Sequence, residues 1–192
     1  MWLDIIIILL LILINGFFAL SEIAIVSAKK RKLEAESKKG KKGAIKALSL
    51  QSDPDNFLSS VQVGITLIGI INGAYGGQAF ASKLTPFFQQ FAATAPFADA
   101  ISLTIVVFLI TYVSIVIGEL VPKTIALNSA EKMAIKAAPT IHIVSIIFYP
   151  FVKLLSFSTG FINKLIGLKP KNDVVSEMEL RAMLKTASHE GI

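Results

Sequence analysis

Residues 5–21 read IIIILLLILINGFFALS and contain no charged side chain. At about 1.5 Å per residue, a helix over this stretch crosses most of a hydrocarbon core roughly 30 Å thick. No positively charged segment precedes it, because the chain starts Met-Trp-Leu-Asp, and no small-residue cleavage pattern follows it. We therefore predict a retained membrane span and not a signal peptide.

The composition of the whole chain is that of a membrane protein. Of the 192 residues, 54% are hydrophobic and only 17% are charged, whereas soluble domains carry about a quarter charged residues. The chain has no cysteine, which excludes disulfides, thiolate zinc sites, iron–sulfur clusters and cysteine nucleophiles. Metal chemistry must therefore use oxygen ligands or histidine, and oxygen ligands favour hard cations.

Two further long uncharged stretches follow the first one. We predict an all-α integral membrane protein with three transmembrane helices, over about 3–27, 57–80 and 99–122. Between the second and third of these, residues 85–96 are rich in Phe, interrupted by proline and too short to cross alone. We predict a short re-entrant segment there.

Residues 128–168 are apolar as well, but Pro139 and Pro150 interrupt them and lysines shorten the uncharged windows. Because proline breaks helices, we predict juxtamembrane helices lying at the inner membrane face and no fourth span. The transmembrane domain then covers 1–168. Residues 169–192 are charged and favour a helix, so we predict a cytoplasmic linker helix leading to a domain absent from this chain.

Basic residues are concentrated directly after the first span. The segment at 28–46, AKKRKLEAESKKGKKGAIK, holds nine of the nineteen Lys and Arg residues, while Lys83 alone lies between the second and third predicted spans. The positive-inside rule places this segment and the C-terminus in the cytoplasm and the N-terminus outside a cell membrane. The net charge of +6 is then a topology signal that touches membrane lipid, and we predict no nucleic-acid partner.

Two glutamates lie in otherwise apolar surroundings. An ionisable side chain inside a membrane costs at least about 2.5 kcal/mol unless it faces a partner or a cavity, so Glu22 and Glu119 are functional candidates. Pro122 has no N–H, so the Gly118 carbonyl loses its helical partner and becomes an oxygen ligand beside Glu119. Two alternatives stay open, a simple proline kink and an interfacial ion pair between Glu119 and Lys123.

Further polar groups in the predicted spans complete a set of hard oxygen donors suited to Mg²⁺, Ca²⁺ or Na⁺. Counting along straight helices places Asn72 in the outer half of the membrane and Glu119 in the cytoplasmic half, so a shared shell needs a different start of the second span. Two of the serines need a helix irregularity, because a spacing of six residues puts them on different faces. The candidate ligands are Ser21, Ser27, Asn72, Gly118 and Glu119.

Gly69, Gly73 and Gly77 follow one another at a spacing of four residues. On a helix they form a ridge without side chains, and such a ridge lets another helix backbone approach closely. We predict helix packing on this face of the second span.

Three stretches resemble the transmembrane domain of the CNNM/CorC family of magnesium transporters. They are FFALSEIAIVSA at 17–28, VQVGITLIGIINGAYGG at 61–77 and GELVPKTIAL at 118–127. The stretch SEMELRAMLKTASHEGI at 176–192 is similar to that family's linker into its cytosolic CBS-pair domain. The likeness covers essentially the whole chain, and its Gly-Glu-x-x-Pro-Lys piece is the most distinctive.

The resemblance implies three membrane helices with a juxtamembrane belt, a homodimer, and outward transport of Mg²⁺ with Na⁺ entry as the drive. It places Ser21, Asn72, Gly118 and Glu119 at the family's motif positions, and Ser27 matches less closely. The family's CBS pair, which binds ATP and regulates transport, is missing here.

Three functions are compared on these residues. The first is secondary transport of Mg²⁺ through a cavity open to the cytoplasm, and the second is a membrane-anchored Mg²⁺ sensor without transport activity. The third, an intramembrane hydrolase using Ser21 or Ser27 with His142, is disfavoured because no Gly-x-Ser-x-Gly turn exists and His142 lies in an interfacial segment. No Walker lysine motif supports ATP-driven pumping, so we predict that the chain is not an enzyme.

Overall fold

The computed structural model describes residues 2–167, which are helical apart from short connections. No strand occurs within this range, so the predicted all-α class is confirmed. The predicted linker at 169–192 lies outside the described residues. The helices are α1 (Trp2–Ser27), α2 (Lys30–Lys38), α3 (Lys42–Ser52), α4 (Pro54–Gln89), α5 (Ala98–Ile115), α6 (Val121–Asn128) and α7 (Ala130–Leu165), with a 3-10 turn at Ala95–Phe97 and a π-helix at Val116–Leu120.

Four helical stretches are long and apolar enough to cross a membrane, which supports a multi-pass membrane protein. Three of them contain the three predicted spans. The fourth covers the region predicted to lie at the inner membrane face, so the count of three spans is not confirmed and stays a prediction. The four stretches are Trp2–Ser27, Pro54–Gln89, Ala95–Asn128 and Ala130–Leu165.

The prolines do not end helices where the sequence predicted that they would. Pro139 and Pro150 both lie inside α7, so the prediction of separate short helices within this region was wrong. Pro86 likewise lies inside α4, and the prediction of a separate re-entrant segment at 85–96 is not confirmed. A proline removes one backbone hydrogen bond and bends a helix, but packed turns on both sides can hold the helix together.

The chain divides into two compact units, at residues 1–153 and 154–192. The first unit contains the buried core. In the second unit the described residues, 154–167, are all exposed.

The core lies where the second half of α1 meets α3, the start of α4, α6 and the start of α7. Small residues dominate it, which allows the helices to pack closely. Gln51 ties α3 to the end of α1, because its side-chain amide donates to the carbonyls of Ile25 at 2.7 Å and Ala28 at 2.8 Å. The Ile25 carbonyl lies in the last turn of α1 and the Ala28 carbonyl directly follows that helix, where carbonyls lack the partner of a regular helical turn. The buried core residues include Ala24, Ile25, Ala28, Ala47, Leu50, Phe57, Val61, Ala126, Ala134, Ala138 and Ile141.

The lysine-rich segment folds as the short helices α2 and α3. Glu36 lies at the turn between them and pairs with Lys39 at 2.7 Å and with Lys41. The hydrogen bonds from these two ammonium groups lower the pKa of Glu36 to about 2. The carboxylate therefore stays ionised at neutral pH, and the contacts that it makes would be lost only as the pH falls from about 4.5 towards 2.

We expect Gly43→Ala to lower the thermal unfolding midpoint of the purified protein in detergent. A methyl group at Gly43 would overlap the backbone carbonyl of Ile135, so α3 would have to move away from α7. Overpacking of this kind costs about 1–3 kcal/mol. Gly160→Ala is the matched control, since an added methyl at Gly160 meets nothing within 4 Å. Equal midpoints for the two variants would contradict close packing of α3 on α7.

Candidate cation site

The third apolar stretch contains an irregular turn. Residues Val116–Leu120 form a π-helix between α5 and α6, and the N–H of Val121 donates to the carbonyl of Val116, five residues earlier. The buried Pro122 follows directly. Since proline has no N–H to donate, the helix widens at the point where the sequence predicts a disturbed carbonyl.

The Gly118 carbonyl, which cannot accept from Pro122 four residues later, has a partner on another helix. The side-chain Nδ2 of Asn15 on α1 donates to it at 3.0 Å. The helices approach closely here, because a Cβ at Gly118 would lie 3.2 Å from the Ile12 carbonyl oxygen. Asn15 donates through its nitrogen, and its own Oδ1 is buried and accepts no hydrogen bond from the described residues.

Asn72 on α4 has the same arrangement. Its side chain is buried, with only 3% of the residue exposed. Its Nδ2 donates to the Ser114 hydroxyl oxygen on α5 at 2.7 Å. The Oδ1 of Asn72 is buried and, within the part of the chain that the structure describes, has no hydrogen-bond partner.

The two amides and the Glu119 carboxylate line one cavity of about 190 Å³. Gly69 and Gly73 form part of its wall, and an added Cβ at either position meets nothing within 4 Å. The predicted glycine ridge thus packs against another helix at Gly77 but leaves space at the other two positions. The polar residues of the lining are Asn15, Asn72, Thr111, Ser114 and Glu119.

Lys123 pairs with both candidate glutamates. Its Nζ lies 2.7 Å from Oε1 of Glu119 and 3.9 Å from Oε2 of Glu22. The side chains of these residues are partly exposed, at 29% for Lys123, 37% for Glu119 and 20% for Glu22. The ion pair that the sequence left open as an alternative for Glu119 is therefore present.

The predicted serine ligands do not line this cavity. Ser21 is fully buried, and its hydroxyl donates to the Phe17 carbonyl at 2.6 Å. Ser27 is exposed at the end of α1. Because α1 is a regular α-helix over its whole length, the irregularity that would bring the two serines to one face does not form. Their role as ligands stays a prediction.

The structure brings Asn72 and Glu119 to one cavity, although counting along straight helices had separated them. The sequence did not select Asn15 as a ligand. The sequence did contain an indication, because Asn15 is a polar amide inside an otherwise apolar stretch. Within residues 2–167, no three His, Asp or Glu side chains form a metal-binding group, so a cation here would depend on one carboxylate and neutral oxygens.

His142 lies apart from the predicted serines. It lines a separate cavity together with Asp53 and Ser145. Neither Ser21 nor Ser27 lines that cavity, so the arrangement lends no support to a serine hydrolase.

A sequence model of the cyclin M transmembrane N-terminal domain matches residues 5–192. The chain belongs to the cyclin M family. This confirms the resemblance to the CNNM membrane domain.

Among curated relatives, the cyclin M domain described above is similar to UPF0053 protein sll0260 of Synechocystis sp., with 44% identity over 99% of the chain and 43% of the relative. UPF0053 protein YrkA of Bacillus subtilis is 35% identical over 98% of the chain and 44% of the relative. UPF0053 protein YhdT of the same organism is 34% identical over 94% of the chain and 40% of the relative. The chain thus spans less than half the length of these relatives.

We expect Asn15→Leu, a change of similar shape, to destabilise the protein. The substitution leaves the Gly118 carbonyl without its donor, and an unpartnered buried polar group costs about 1–3 kcal/mol. Thermal unfolding in detergent measures the effect. Thr104→Val serves as the control, because the exposed Thr104 hydroxyl donates only within its own helix, to Ala100. An unchanged midpoint for Asn15→Leu would show that this hydrogen bond does not hold α1 in place.

Proposed function

We propose that this cyclin M domain is part of a secondary transporter that moves Mg²⁺ across the membrane through the cavity between α1, α4 and α5. One observation carries the proposal. The side chains of Asn15 and Asn72, whose buried oxygens have no hydrogen-bond partner among residues 2–167, line one cavity together with Glu119. Burying such oxygens is costly, and a cation with its water shell would supply the missing interactions.

The chemistry of the lining favours a hard cation. Each polar side chain in it offers oxygen, from two amides, two hydroxyls and one carboxylate, and Mg²⁺ and Ca²⁺ prefer such ligands. The volume of about 190 Å³ exceeds the ~30 Å³ that one water takes up in the liquid. Because Mg²⁺ gives up its waters reluctantly, it would enter this cavity with part of its hydration shell.

Further ligands would join when the helices rearrange. Gly118 does not line the cavity but directly precedes Glu119, which does, and its carbonyl would bind the ion if the Asn15 amide released it and the π-helix turned. Ser21 lies within α1, so movement of α1 against the π-helix would be needed to bring its hydroxyl to the ion. Backbone carbonyls of interrupted helices coordinate ions in many membrane transporters.

Direction, coupling and assembly complete the proposal. Outward transport, Na⁺ entry as the drive and a homodimer follow from the family resemblance. The N-terminus outside and the C-terminus in the cytoplasm of a cell membrane follow from the positive-inside rule.

We expect Glu119→Gln to abolish Mg²⁺ flux, because the substitution removes the single carboxylate of the cavity while keeping its size. The measurement is Mg²⁺ entry into proteoliposomes that contain a Mg²⁺-sensitive dye. The control is Glu34→Gln, a change on the exposed α2 surface, for which wild-type flux is expected.

Wild-type flux in Glu119→Gln would remove Glu119 from the transport path. Mg²⁺ binding by the wild type without any flux, lost in Glu119→Gln, would instead favour the sensor.

We expect Gly73→Leu to lower Mg²⁺ flux at least tenfold, because the new side chain would occupy the cavity although every oxygen-bearing residue of its lining is unchanged. The space is there, since an added Cβ at Gly73 meets no atom within 4 Å. Gly160→Leu is the control, because Gly160 is equally open but lies far along the sequence on α7 and outside the cavity lining. Equal flux in the two variants would argue that Mg²⁺ takes another route.

A further inference from the structure

One lysine stands between two glutamates that come from different helical segments. Glu22 belongs to α1, Glu119 to the π-helix and Lys123 to α6. The ammonium nitrogen is 2.7 Å from the Glu119 carboxylate and 3.9 Å from that of Glu22. Within residues 2–167, none of the three side chains has an ion-pair partner outside this group. The three residues therefore form a self-contained group, with two carboxylates for one ammonium.

The group lies at the rim of the cavity. Glu119 lines the cavity, whereas neither Lys123 nor Glu22 does. The ammonium therefore contacts the Glu119 carboxylate from outside the space that a cation would occupy. Lysine is a flexible point charge on a four-carbon stem, and the second carboxylate is already within 4 Å of its nitrogen.

We propose that Lys123 is a specificity-determining counterion for the cavity. Its ammonium neutralises Glu119 when no cation is bound, and it shifts to Glu22 when a divalent cation binds the Glu119 carboxylate from the cavity side. This inference rests on the proposed function, because it assigns regulation and selectivity to the same cation site.

The physical basis is a comparison of charges. A monovalent ion that enters the cavity replaces one positive charge on Glu119 by another, and it must lose water to do so. A divalent ion brings twice the charge to the same carboxylate, and because it keeps part of its hydration shell in the cavity, the stronger attraction is not spent on complete dehydration. Glu22 makes the displacement easier, because the ammonium exchanges one carboxylate for another. Lys123 thus favours Mg²⁺ over Na⁺ at Glu119, and Na⁺ that drives transport would bind elsewhere.

A purely structural ion pair leads to different expectations. Glu119 and Lys123 are four residues apart, and pairs at this spacing stabilise helices. If the pair only stabilises the helix, its removal lowers the unfolding midpoint and leaves ion selectivity unchanged. Ion selectivity is therefore the property that separates the two roles.

The test is calorimetric titration of the purified protein with MgCl₂, in choline chloride and in NaCl at equal ionic strength. We expect the wild type to bind Mg²⁺ with nearly the same Kd in both salts. Lys123→Met removes the competing charge, so in choline chloride its Kd should be tighter by roughly tenfold or more. In NaCl its Kd should weaken again, because Na⁺ can now occupy the site. Lys123→Arg keeps the charge and should restore the insensitivity to NaCl.

Glu22→Gln supplies a second, opposite test that does not depend on the folding of Lys123→Met. This variant removes the alternative partner of the ammonium, so Mg²⁺ binding should weaken. An unchanged or tighter Kd in Glu22→Gln, or an unchanged Kd without Na⁺ competition in Lys123→Met, would overturn the role of Lys123. Failure of the proposed function looks different, because the wild type would then bind no Mg²⁺ or Glu119→Gln would bind it as tightly as the wild type.

Discussion

The hydrogen bond from the Asn15 amide to the Gly118 carbonyl is the contact on which the site depends. Pro122 has no N–H and therefore cannot donate to that carbonyl, as the residue four positions later does in a regular α-helix. Asn15 supplies the donor from a neighbouring helix at 3.0 Å. The bond connects α1 to the π-helix and uses the nitrogen of the Asn15 amide, so its oxygen is left without a hydrogen-bond partner among residues 2–167. The irregular turn before Pro122 is thereby linked to α1, whose Asn15 side chain lines the cavity.

The cavity exists partly because two residues of its wall are glycines, which have no side chain to fill it. Gly69 and Gly73 leave space next to Asn72, while Gly76 and Gly77, one turn further along α4, pack tightly against apolar side chains from neighbouring helices. The same helix therefore packs closely at one level and opens at the next. The resulting space is lined by five polar side chains on one hand and by Ile65, Ile110 and Ile115 on the other.

Much of the fold and part of the site could be predicted from the sequence. The lengths of the uncharged apolar stretches show where α1, α4 and α5 lie. Pro122, shortly after Glu119, shows where the third apolar stretch becomes irregular. The prolines at 139 and 150 misled the prediction for α7, because the packing of Ala134, Ala138 and Ile141 in the core outweighs the loss of single hydrogen bonds. Asn15 was not selected as a ligand, because its partner is 103 residues away and local pattern cannot show such a pair.

The sequence by itself determined that this is an apolar, helical, cysteine-free chain with few charges inside its apolar stretches, because composition and hydropathy act locally and need no partner. It also determined the family, through motifs that stand close together in the chain. Only the tertiary structure decided which polar groups meet. Helix packing sets the rotation of each helix, so Asn72 and Glu119 face one cavity while Ser21 and Ser27 do not. The rotation of a helix about its axis depends on contacts with several other helices, and no single segment of the sequence specifies those contacts.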